Sequence, residues 1–333
     1  MSRRIKKTPK KIKLLLLIGI IGIVAYSFRQ EIDYWVKTIS MRNNDPCNQT
    51  DYRIDSFQIH HLSASDLPYV THQTAYSRNE QYDKDSIPLL TMNNKSIYHP
   101  VYISQYTLRL IDVFQTTKDR TVLKQIEIIA AKLISLSTCK YNARFFPYSI
   151  NYQNHPNHFH YHEAPWYSGM AQGQVLSVFS RLYEITRRKQ YLTFCHEIFR
   201  SLTLLKGKKY TPWVVCSDQN KYLWIEEYPS EKPCFTLNGM IFGIYGVYDY
   251  YRITENPQAR RILQATLTTV KNNLYKYRNK NEASYYCQVD QMKIMDYHRI
   301  VVGQLYQLYK ITKDPFFYRQ GKIFEADTRG LPK

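Results

Sequence analysis

The chain has 333 residues, and its 46 lysines and arginines outnumber its 27 aspartates and glutamates, which gives a formal net charge of +19 at pH 7. A chain of this length can bury a sizeable core and suits one large domain or two small ones. The charge carries no information on the fold, but it favours polyanionic partners over neutral ones.

The first 29 residues have the pattern of a membrane signal anchor. Seven cations between Arg3 and Lys13 precede an uncharged run from Leu14 to Phe28, and Arg29 follows it. Cations on the amino side of an apolar segment hold that end in the cytoplasm, so the rest of the chain is expected to be exported. Residues 25–27 have the small-x-small shape of a cleavage site, but a retained single-pass anchor over residues 1–30 is the interpretation we favour.

The exported part remains basic. The anchor region holds eight of the 46 lysines and arginines and none of the acids, which leaves 38 cations against 27 acids, a net charge of +11. Outside the cytoplasm, in a bacterial cell envelope or a Golgi lumen, nucleic acid is not an expected partner. An acidic polysaccharide or an anionic membrane surface fits better.

Six cysteines are spread over this part without a Cys-x-x-Cys pair, which argues against a zinc site. An oxidising compartment permits disulfides, but six cysteines allow 15 pairings and the sequence does not choose between them. Buried free thiols are an equal alternative. Both interpretations stay open at this point.

A helix ending recurs four times along the chain. The copies align on a threonine that follows an aromatic residue by three positions and an apolar residue by seven; the threonines are Thr117, Thr186, Thr254 and Thr312. Such offsets mark one helix face, and Asp119, Asn256 and Asp314 suit the caps of following helices. Intervals of 69, 68 and 58 residues accommodate a helix pair and a loop. The pattern predicts an all-α array of helix pairs, either a solenoid or, as we favour, an incomplete α/α toroid.

Three long connections interrupt the predicted helices, at residues 148–173, 209–233 and 281–300. The first two contain alternating β-type stretches and prolines, which predict short β-hairpins. All three are rich in tyrosine, histidine, tryptophan and carboxylates, and each leads into an inner helix of the repeat. Since loops on a rigid scaffold carry function, we expect the three to converge on one cleft.

Four sequence blocks resemble the carboxy-terminal domain of D-glucuronyl C5-epimerases, the family that makes iduronate in heparin and heparan sulfate. They are YHPVYISQYTLRLIDVFQTTKD from Tyr98, WYSGMAQGQVLSVFSRLYEIT from Trp166, WIEEYP with LNGMIFGIYGVYDY, and DYHRIVVGQLYQLYKIT. The blocks stand in the family's order and span roughly residues 96 to 320. The resemblance implies a short N-terminal extension at residues 31–95 and a helical catalytic domain at residues 96–333. It also leaves a homodimer open.

The implied reaction inverts C5 of D-glucuronate to give L-iduronate within a heparosan-like polysaccharide. Inversion removes a proton beside a carboxylate and returns one to the opposite face. The site therefore needs two acid/base groups flanking the ring, together with donors or cations that stabilise the charge growing on the carboxylate. Tyrosine suits such a site because its ordinary pKa of about 10 keeps it a proton donor at neutral pH. No cofactor is required.

The resemblance assigns catalytic roles to four residues. Tyr228, Tyr286 and Tyr297 match the positions of the family's catalytic tyrosines, and Glu227 matches an acidic residue that serves as a base or holds Tyr228 in place. Tyr285 competes with Tyr286 for the middle position, because the segment leading to Tyr297 is shorter here than in animal members.

Six further residues are candidates for substrate binding. They are Trp166, Gln172, Glu226, Asn238, His298 and Arg299. The two amides begin inner helices and suit sugar hydroxyls, although either one also suits a tie between helices. The indole offers a face to a pyranose ring or plugs the core. The arginine is the candidate for the substrate carboxylate, because the family's arginine after the middle tyrosine is missing here. The histidine either caps a helix or contacts the sugar, and the glutamate either belongs to the site or is solvated.

A string of histidines, His155, His158, His160 and His162, precedes Glu163 and raises the possibility of a metal site. On an extended strand the last three histidines share a face, and imidazoles with a carboxylate suit zinc. Epimerisation at C5 needs no metal, however, and the matching blocks resume only at Trp166. A polar loop rim is the interpretation we favour, so no metal is predicted.

Two other functions remain open. A polysaccharide lyase begins with the same proton abstraction and then expels the C4 oxygen, and a fold of this type does not exclude it. A non-catalytic protein that binds an acidic glycan needs neither proton carrier.

Overall fold

A computed structural model describes residues 46–71, 81–154, 161–207, 210–289 and 291–330, together with Phe28, Arg29 and Ile32. Within these described ranges, no helix is both long and apolar enough to cross a bilayer. The predicted anchor lies outside them apart from its last residues, and so do the first three histidines of the string. A compact unit begins at Pro46, so part of the predicted N-terminal extension packs with the helices.

Eight α-helices occupy the described part of residues 46–330. They are α1 (Pro100–Thr117), α2 (Arg120–Leu136), α3 (Gly169–Thr186), α4 (Lys189–Ser201), α5 (Leu237–Thr254), α6 (Pro257–Asn273), α7 (Met295–Thr312) and α8 (Pro315–Asp327). Consecutive helices form four antiparallel pairs. The first helices of the pairs, α1, α3, α5 and α7, pack side by side as an inner layer. The prediction of an all-α incomplete toroid is confirmed.

The recurring threonine is the last residue of each inner helix. The residue after it takes the left-handed conformation, with φ between 52° and 57°, and its N–H donates to the carbonyl of the aligned aromatic residue. This bond closes the helix end without a glycine. Asp119, Asn256 and Asp314 then cap α2, α6 and α8 by accepting hydrogen bonds from first-turn N–H groups, as predicted.

Helices α3 and α5 approach closely because glycines face each other. A Cβ on Gly173 would lie 2.9 Å from the carbonyl oxygen of Gly243, and a Cβ on Gly246 would overlap the backbone of Gly173. Only residues without a Cβ permit this approach. The contact therefore fixes the relative position of two inner helices.

Short antiparallel strands fill the connections. A three-stranded sheet precedes α1, with β1 (Gln81–Tyr82), β2 (Pro88–Met92) and β3 (Lys95–Ile97), and hairpins follow as β4 (Thr138–Lys140) with β5 (Ala143–Phe145), β6 (Tyr152–Gln153) with β7 (Tyr161–His162), and β8 (Val215–Ser217) with β9 (Leu223–Ile225). The last two hairpins lie in the first two long connections, which confirms the hairpins predicted there.

The segment at residues 46–71 runs in a largely irregular conformation across the helices. The backbone of Phe57 exchanges two hydrogen bonds with the side chain of Gln264 on α6, of 2.5 and 2.7 Å. A disulfide joins Cys47 to Cys216 on β8. The other four cysteines keep their thiol groups: Cys139, Cys195, Cys234 and Cys287. Both interpretations of the cysteines thus hold in part, because the chain has one disulfide and also buried thiols.

Candidate active site

A cavity of about 430 Å³ lies where the inner helices begin. One residue from the start of each inner helix lines it: His99 and Ser168 are the N-caps of α1 and α3, Asn238 is the second residue of α5, and Tyr297 is the third residue of α7. Glu227 and Tyr228, which follow β9, also line it. The toroid therefore gathers residues from distant parts of the chain into one site.

Glu227 is a buried carboxylic acid in the cavity wall. Its position depends on Gly239, because a Cβ there would lie 2.6 Å from the Glu227 carboxyl carbon. One oxygen of the carboxyl has no hydrogen-bond partner among the described residues. Burial raises the pKa of Glu227 to about 7, and hydrogen bonding from Tyr228 and Tyr286 opposes part of that rise. Such a group exchanges protons readily near neutral pH.

The three predicted tyrosines meet beside Glu227. The hydroxyl oxygens of Tyr228 and Tyr286 are 3.3 Å apart, and the rings of Tyr286 and Tyr297 have centroids 4.6 Å apart. Tyr286 therefore occupies the middle position for which Tyr285 was an alternative. Burial, followed by the charge of Glu227, raises the pKa of all three tyrosines above the usual value. They hold their protons at neutral pH and are suited to donate them.

An aromatic stack forms another wall of the cavity. Trp166 lies parallel to Tyr148, with centroids 3.9 Å apart, and Tyr152 contacts both Trp166 and Tyr228, with centroids 5.8 Å from each. The Trp166 indole N–H donates to the carbonyl of Ile150, so its orientation is fixed. Sequence reasoning identified Trp166 and missed both Tyr148 and Tyr152. Their signal was present, because both lie in the first tyrosine-rich connection.

The two predicted amides differ in their surroundings. Asn238 lines the cavity, and its side-chain oxygen has no hydrogen-bond partner among the described residues. Gln172 does not line the cavity. It accepts a bond from the N–H of Phe146 and donates to the Arg144 carbonyl and the Ser201 hydroxyl. The substrate role expected of Gln172 is replaced by a tie between structural elements.

Three other candidates also lie away from the cavity. Glu226 is fully buried and accepts from the N–H of Phe235, so it neither faces the cavity nor reaches solvent. His298 is buried, where its Nδ1 accepts from the N–H of Ser284 and its Nε2 lies 3.0 Å from a carbonyl on α8. Arg299 is half exposed and pairs with Asp296 at 3.2 Å. None of the three is part of the cavity lining.

The cavity lacks, among its described residues, the lysine or arginine side chains that the basic composition and the need for a cation at the substrate carboxylate led us to expect. Its described lining contains Glu227 but no lysine or arginine. The N-termini of the inner helices are the positive features that point at it, since a helix start carries about half a unit of positive charge. Burial lowers the pKa of His99 to about 4, which keeps that imidazole neutral. The excess cations of the chain therefore lie elsewhere.

The described residues contain no cluster of three or more potential metal ligands. His162, the one member of the histidine string among them, packs against Trp166 at 5.0 Å and Tyr228 at 5.9 Å between ring centroids. It belongs to the aromatic surroundings of the cavity.

Replacing Glu226 by glutamine is expected to change how stability depends on pH. Burial raises the pKa of Glu226 from 4.5 to about 8, so folding favours its neutral form. The stability that the protein has while Glu226 is neutral is complete below pH about 4.5 and is lost as pH rises through 8. The substituted protein should lose less stability over this window, by on the order of a few kcal/mol at about 1.4 kcal/mol per pKa unit. Thermal unfolding between pH 4.5 and 8.5 measures the difference. Parallel curves for the two proteins would contradict it.

Comparison with known proteins places this chain in a family. Residues 142–325, slightly more than half of the chain, match the family described as D-glucuronyl C5-epimerase C-terminus. An uncharacterized protein of Methanocaldococcus jannaschii is 23% identical over 199 residues, which are 60% of this chain and 60% of that protein. The D-glucuronyl C5-epimerase of Caenorhabditis elegans is 31% identical over 100 residues, 29% of this chain and 16% of that protein. The chain thus spans less than two thirds of both relatives.

Solved structures share the fold at low identity. The cellobiose 2-epimerase of Bacillus thermoamylovorans has a TM-score of 0.53 and 11% identity, with 74% of this chain and 66% of that chain covered. A D-mannose isomerase has a TM-score of 0.51 and 11% identity, with coverage of 76% and 65%. These likenesses concern the helical architecture, whereas the sequence match extends through Glu227 and the three tyrosines. The chain belongs to the family of the D-glucuronyl C5-epimerase C-terminal domain.

Proposed function

We propose that the protein is an isomerase that inverts C5 of D-glucuronate to L-iduronate within a heparosan-like acidic polysaccharide. The single observation that carries the proposal is that Glu227, Tyr228 and Tyr297 line one cavity, with the buried Tyr286 in contact with both tyrosines. A buried carboxyl group with a pKa of about 7 is a suitable base. Tyrosines that hold their protons are suitable acids.

The proposed reaction uses Glu227 on one face of the sugar ring. Its carboxylate takes the C5 proton, and the electron pair moves into the uronate carboxyl group to give an enolate. Tyr297, which reaches the cavity from α7, returns a proton to C5 from the other face. The tyrosine then regains its proton from Glu227 or water, so that no proton is gained or lost over the cycle. Tyr228 and Tyr286 donate hydrogen bonds that stabilise the Glu227 carboxylate.

Charge on the enolate requires stabilisation, and the cavity offers it without side-chain cations among its described lining. The starts of the inner helices direct their N–H dipoles toward the cavity. Ser168 and Asn238 add polar side chains at two of those starts. Fixed dipoles of this kind favour developing negative charge because they need no rearrangement during the reaction. This arrangement takes the place that sequence reasoning gave to Arg299.

Two other features of the structure support the proposed substrate and location. The stack of Tyr148, Trp166 and Tyr152 offers flat apolar faces, which suit the C–H face of a pyranose ring. The disulfide between Cys47 and Cys216 suits an oxidising compartment, in line with export. We retain the N-terminal anchor and a catalytic domain outside the cytoplasm as part of the proposal. A homodimer stays open.

Deuterium exchange tests the proposed reaction directly. Incubation of the protein with heparosan in deuterated water should place deuterium at C5 of the uronate and produce some iduronate, both measurable by NMR. The same sample separates the alternatives. A lyase would yield shorter chains with the ultraviolet absorbance of a C4=C5 double bond, and a binding protein would yield neither product. Absence of exchange from a folded sample with any uronate polymer would overturn the proposal.

A further inference from the structure

One wall of the cavity is apolar. Its first residues lie in the chain before residues 142–325, the segment that matches the family. Leu90 and Met92 on β2 and Val101 on α1 line the cavity, and so do Ile150 and Ile300. Leu90 and Met92 are two positions apart on one strand, so their side chains point to the same face. The same cavity lining holds Glu227, Tyr228 and Tyr297, and also the amide side chain of Gln105, one helical turn after Val101 on α1.

The hairpin that carries this wall has a fixed register. Its two-residue turn, Asn93 and Asn94, has φ of 50° and 59°, the left-handed conformations that a tight hairpin turn requires. Leu90 pairs with Ile97 across the strands. On the opposite face of β2, the Thr91 hydroxyl donates to the side chain of Gln81 at 3.0 Å. A shift of one residue would exchange the two faces, so the pairing determines which side chains meet the cavity.

An aliphatic wall makes a specific chemical demand on a polysaccharide. It offers no hydrogen-bond partner to a hydroxyl, and the burial of a charged group against it carries a large free-energy cost. A methyl group is the complementary occupant, because removing its apolar surface from water is favourable. In a glycan, methyl groups are supplied by acyl substituents on amino sugars. Sulfo groups, which are charged, do not fit this wall.

We infer that the wall of Leu90, Met92, Val101, Ile150 and Ile300 receives an uncharged acyl group on the sugar next to the uronate. The inference rests on the proposed function and defines its substrate more closely. The enzyme acts on an N-acetylated polymer in preference to an N-sulfated one. Selectivity lies in Leu90 and Met92, which contact the neighbouring sugar and take no part in proton transfer.

Lys95 provides the competing possibility. It is the direct cross-strand partner of Met92, but its side chain is exposed and is not part of the cavity lining. An enzyme that selects a sulfo group would use such a cation at the rim. Replacing Lys95 by glutamine therefore distinguishes recognition at the rim from recognition by the aliphatic wall.

The test compares N-acetylated and N-sulfated heparosan of equal length by the kcat/KM of C5 deuterium exchange. The acetylated polymer should be preferred at least roughly 10-fold, the smallest ratio typical of one aliphatic group in a pocket. Leu90→Ser and Met92→Ser should raise KM for the acetylated polymer and reduce that ratio, with kcat retained. Leu89→Ser is the matched control, because Leu89 neighbours Leu90 on the strand and does not line the cavity. Met92→Leu and Lys95→Gln should keep the ratio.

An equal or higher kcat/KM for the N-sulfated polymer would overturn the inference, and so would an equal loss of selectivity in Leu89→Ser. The unfolding temperatures of all variants show whether a variant lost its preference for the acetylated polymer because it no longer folds. If the serine variants are unfolded, the preference measured for Met92→Leu decides the inference. If neither polymer exchanges, the proposed reaction fails. Calorimetric affinities for acetylated and sulfated oligosaccharides then decide the inference alone, since tighter binding of the sulfated form would contradict it.

Discussion

Glu227→Gln is expected to lower C5 deuterium exchange by roughly 10²- to 10⁴-fold, the usual contribution of a positioned proton carrier. Glutamine keeps the size and neutral charge of the protonated acid, but it cannot accept the C5 proton. Because the burial of Glu227 already favours its neutral form, the variant should unfold at the same temperature as the parent or higher. Loss of exchange without loss of stability identifies a chemical role.

The pH profile gives this prediction a second readout. In the parent protein, exchange measured as kcat/KM should be low below pH 7 and should rise as Glu227, with its pKa of about 7, becomes ionised. Glu226→Gln serves as the matched control, since it changes an adjacent buried carboxyl group that lies outside the cavity. That variant should retain both the rate and the rise. Full exchange in Glu227→Gln, or an unchanged profile, would remove Glu227 from the reaction.

Removal of the disulfide should have the largest effect on stability. Cys47 and Cys216 are 169 residues apart, and a loop of that length corresponds to about 5 kcal/mol of chain entropy in the unfolded state, at the upper end of the roughly 2–5 kcal/mol usually lost with a native disulfide. The Cys47→Ala, Cys216→Ala double variant should therefore lose about 2–5 kcal/mol in the free energy of unfolding. Denaturant titration measures the loss. Cys139→Ala, which removes an exposed thiol, should leave it unchanged.

Reduction of the parent protein should give the same loss as the double variant, because both release residues 46–71 from β8. The helices themselves should stay folded at low denaturant, since their pairing depends on the inner layer. Equal stability of the oxidised parent, the reduced parent and the double variant would show that the hydrogen bonds between Phe57 and Gln264 hold this segment without the cross-link.

The helical architecture was predictable because its signals are local. Each inner helix ends at a threonine that follows a fixed apolar and aromatic spacing, and in three of the four pairs the next helix starts at a capping side chain two residues later. These patterns depend on contacts within one or two turns. The site residues were identified in a different way. Resemblance to a family, and not a local pattern, pointed to Glu227, Tyr228, Tyr286 and Tyr297.

The predicted site residues that lie away from the cavity illustrate what local patterns lack. Gln172 and Asn238 both follow the start of an inner helix, but Asn238 is the second residue of its helix and Gln172 is the fourth. Two residues turn a helix by about 200°, which places Gln172 on the opposite face. The same argument separates Tyr297 from Arg299. The helix face on which a side chain lies can be predicted only when the first residue of the helix is known. Helix starts are the least certain part of a prediction from sequence.

The charge expectation failed for a related reason. A net charge sums all side chains, so it does not show which of them reach the cavity. The described lining has one carboxyl group and no lysine or arginine, in a chain with a strong excess of cations. Packing excludes charged side chains from a buried aromatic cavity, because desolvation of an ion is costly.

The position of the aliphatic wall along the chain bears on how the protein has diversified. Leu90 and Met92 lie before the segment that defines the family, whereas Glu227 and the tyrosines lie within it. If Leu90 and Met92 select the polymer as inferred, part of its recognition is encoded before the stretch that carries the proton-transfer groups. Substitutions at these two positions are then expected to alter which glycan is accepted while Glu227 and the tyrosines stay unchanged. On this proposal, relatives that share Glu227 and the tyrosines but differ at the positions of Leu90 and Met92 are expected to accept different polysaccharides.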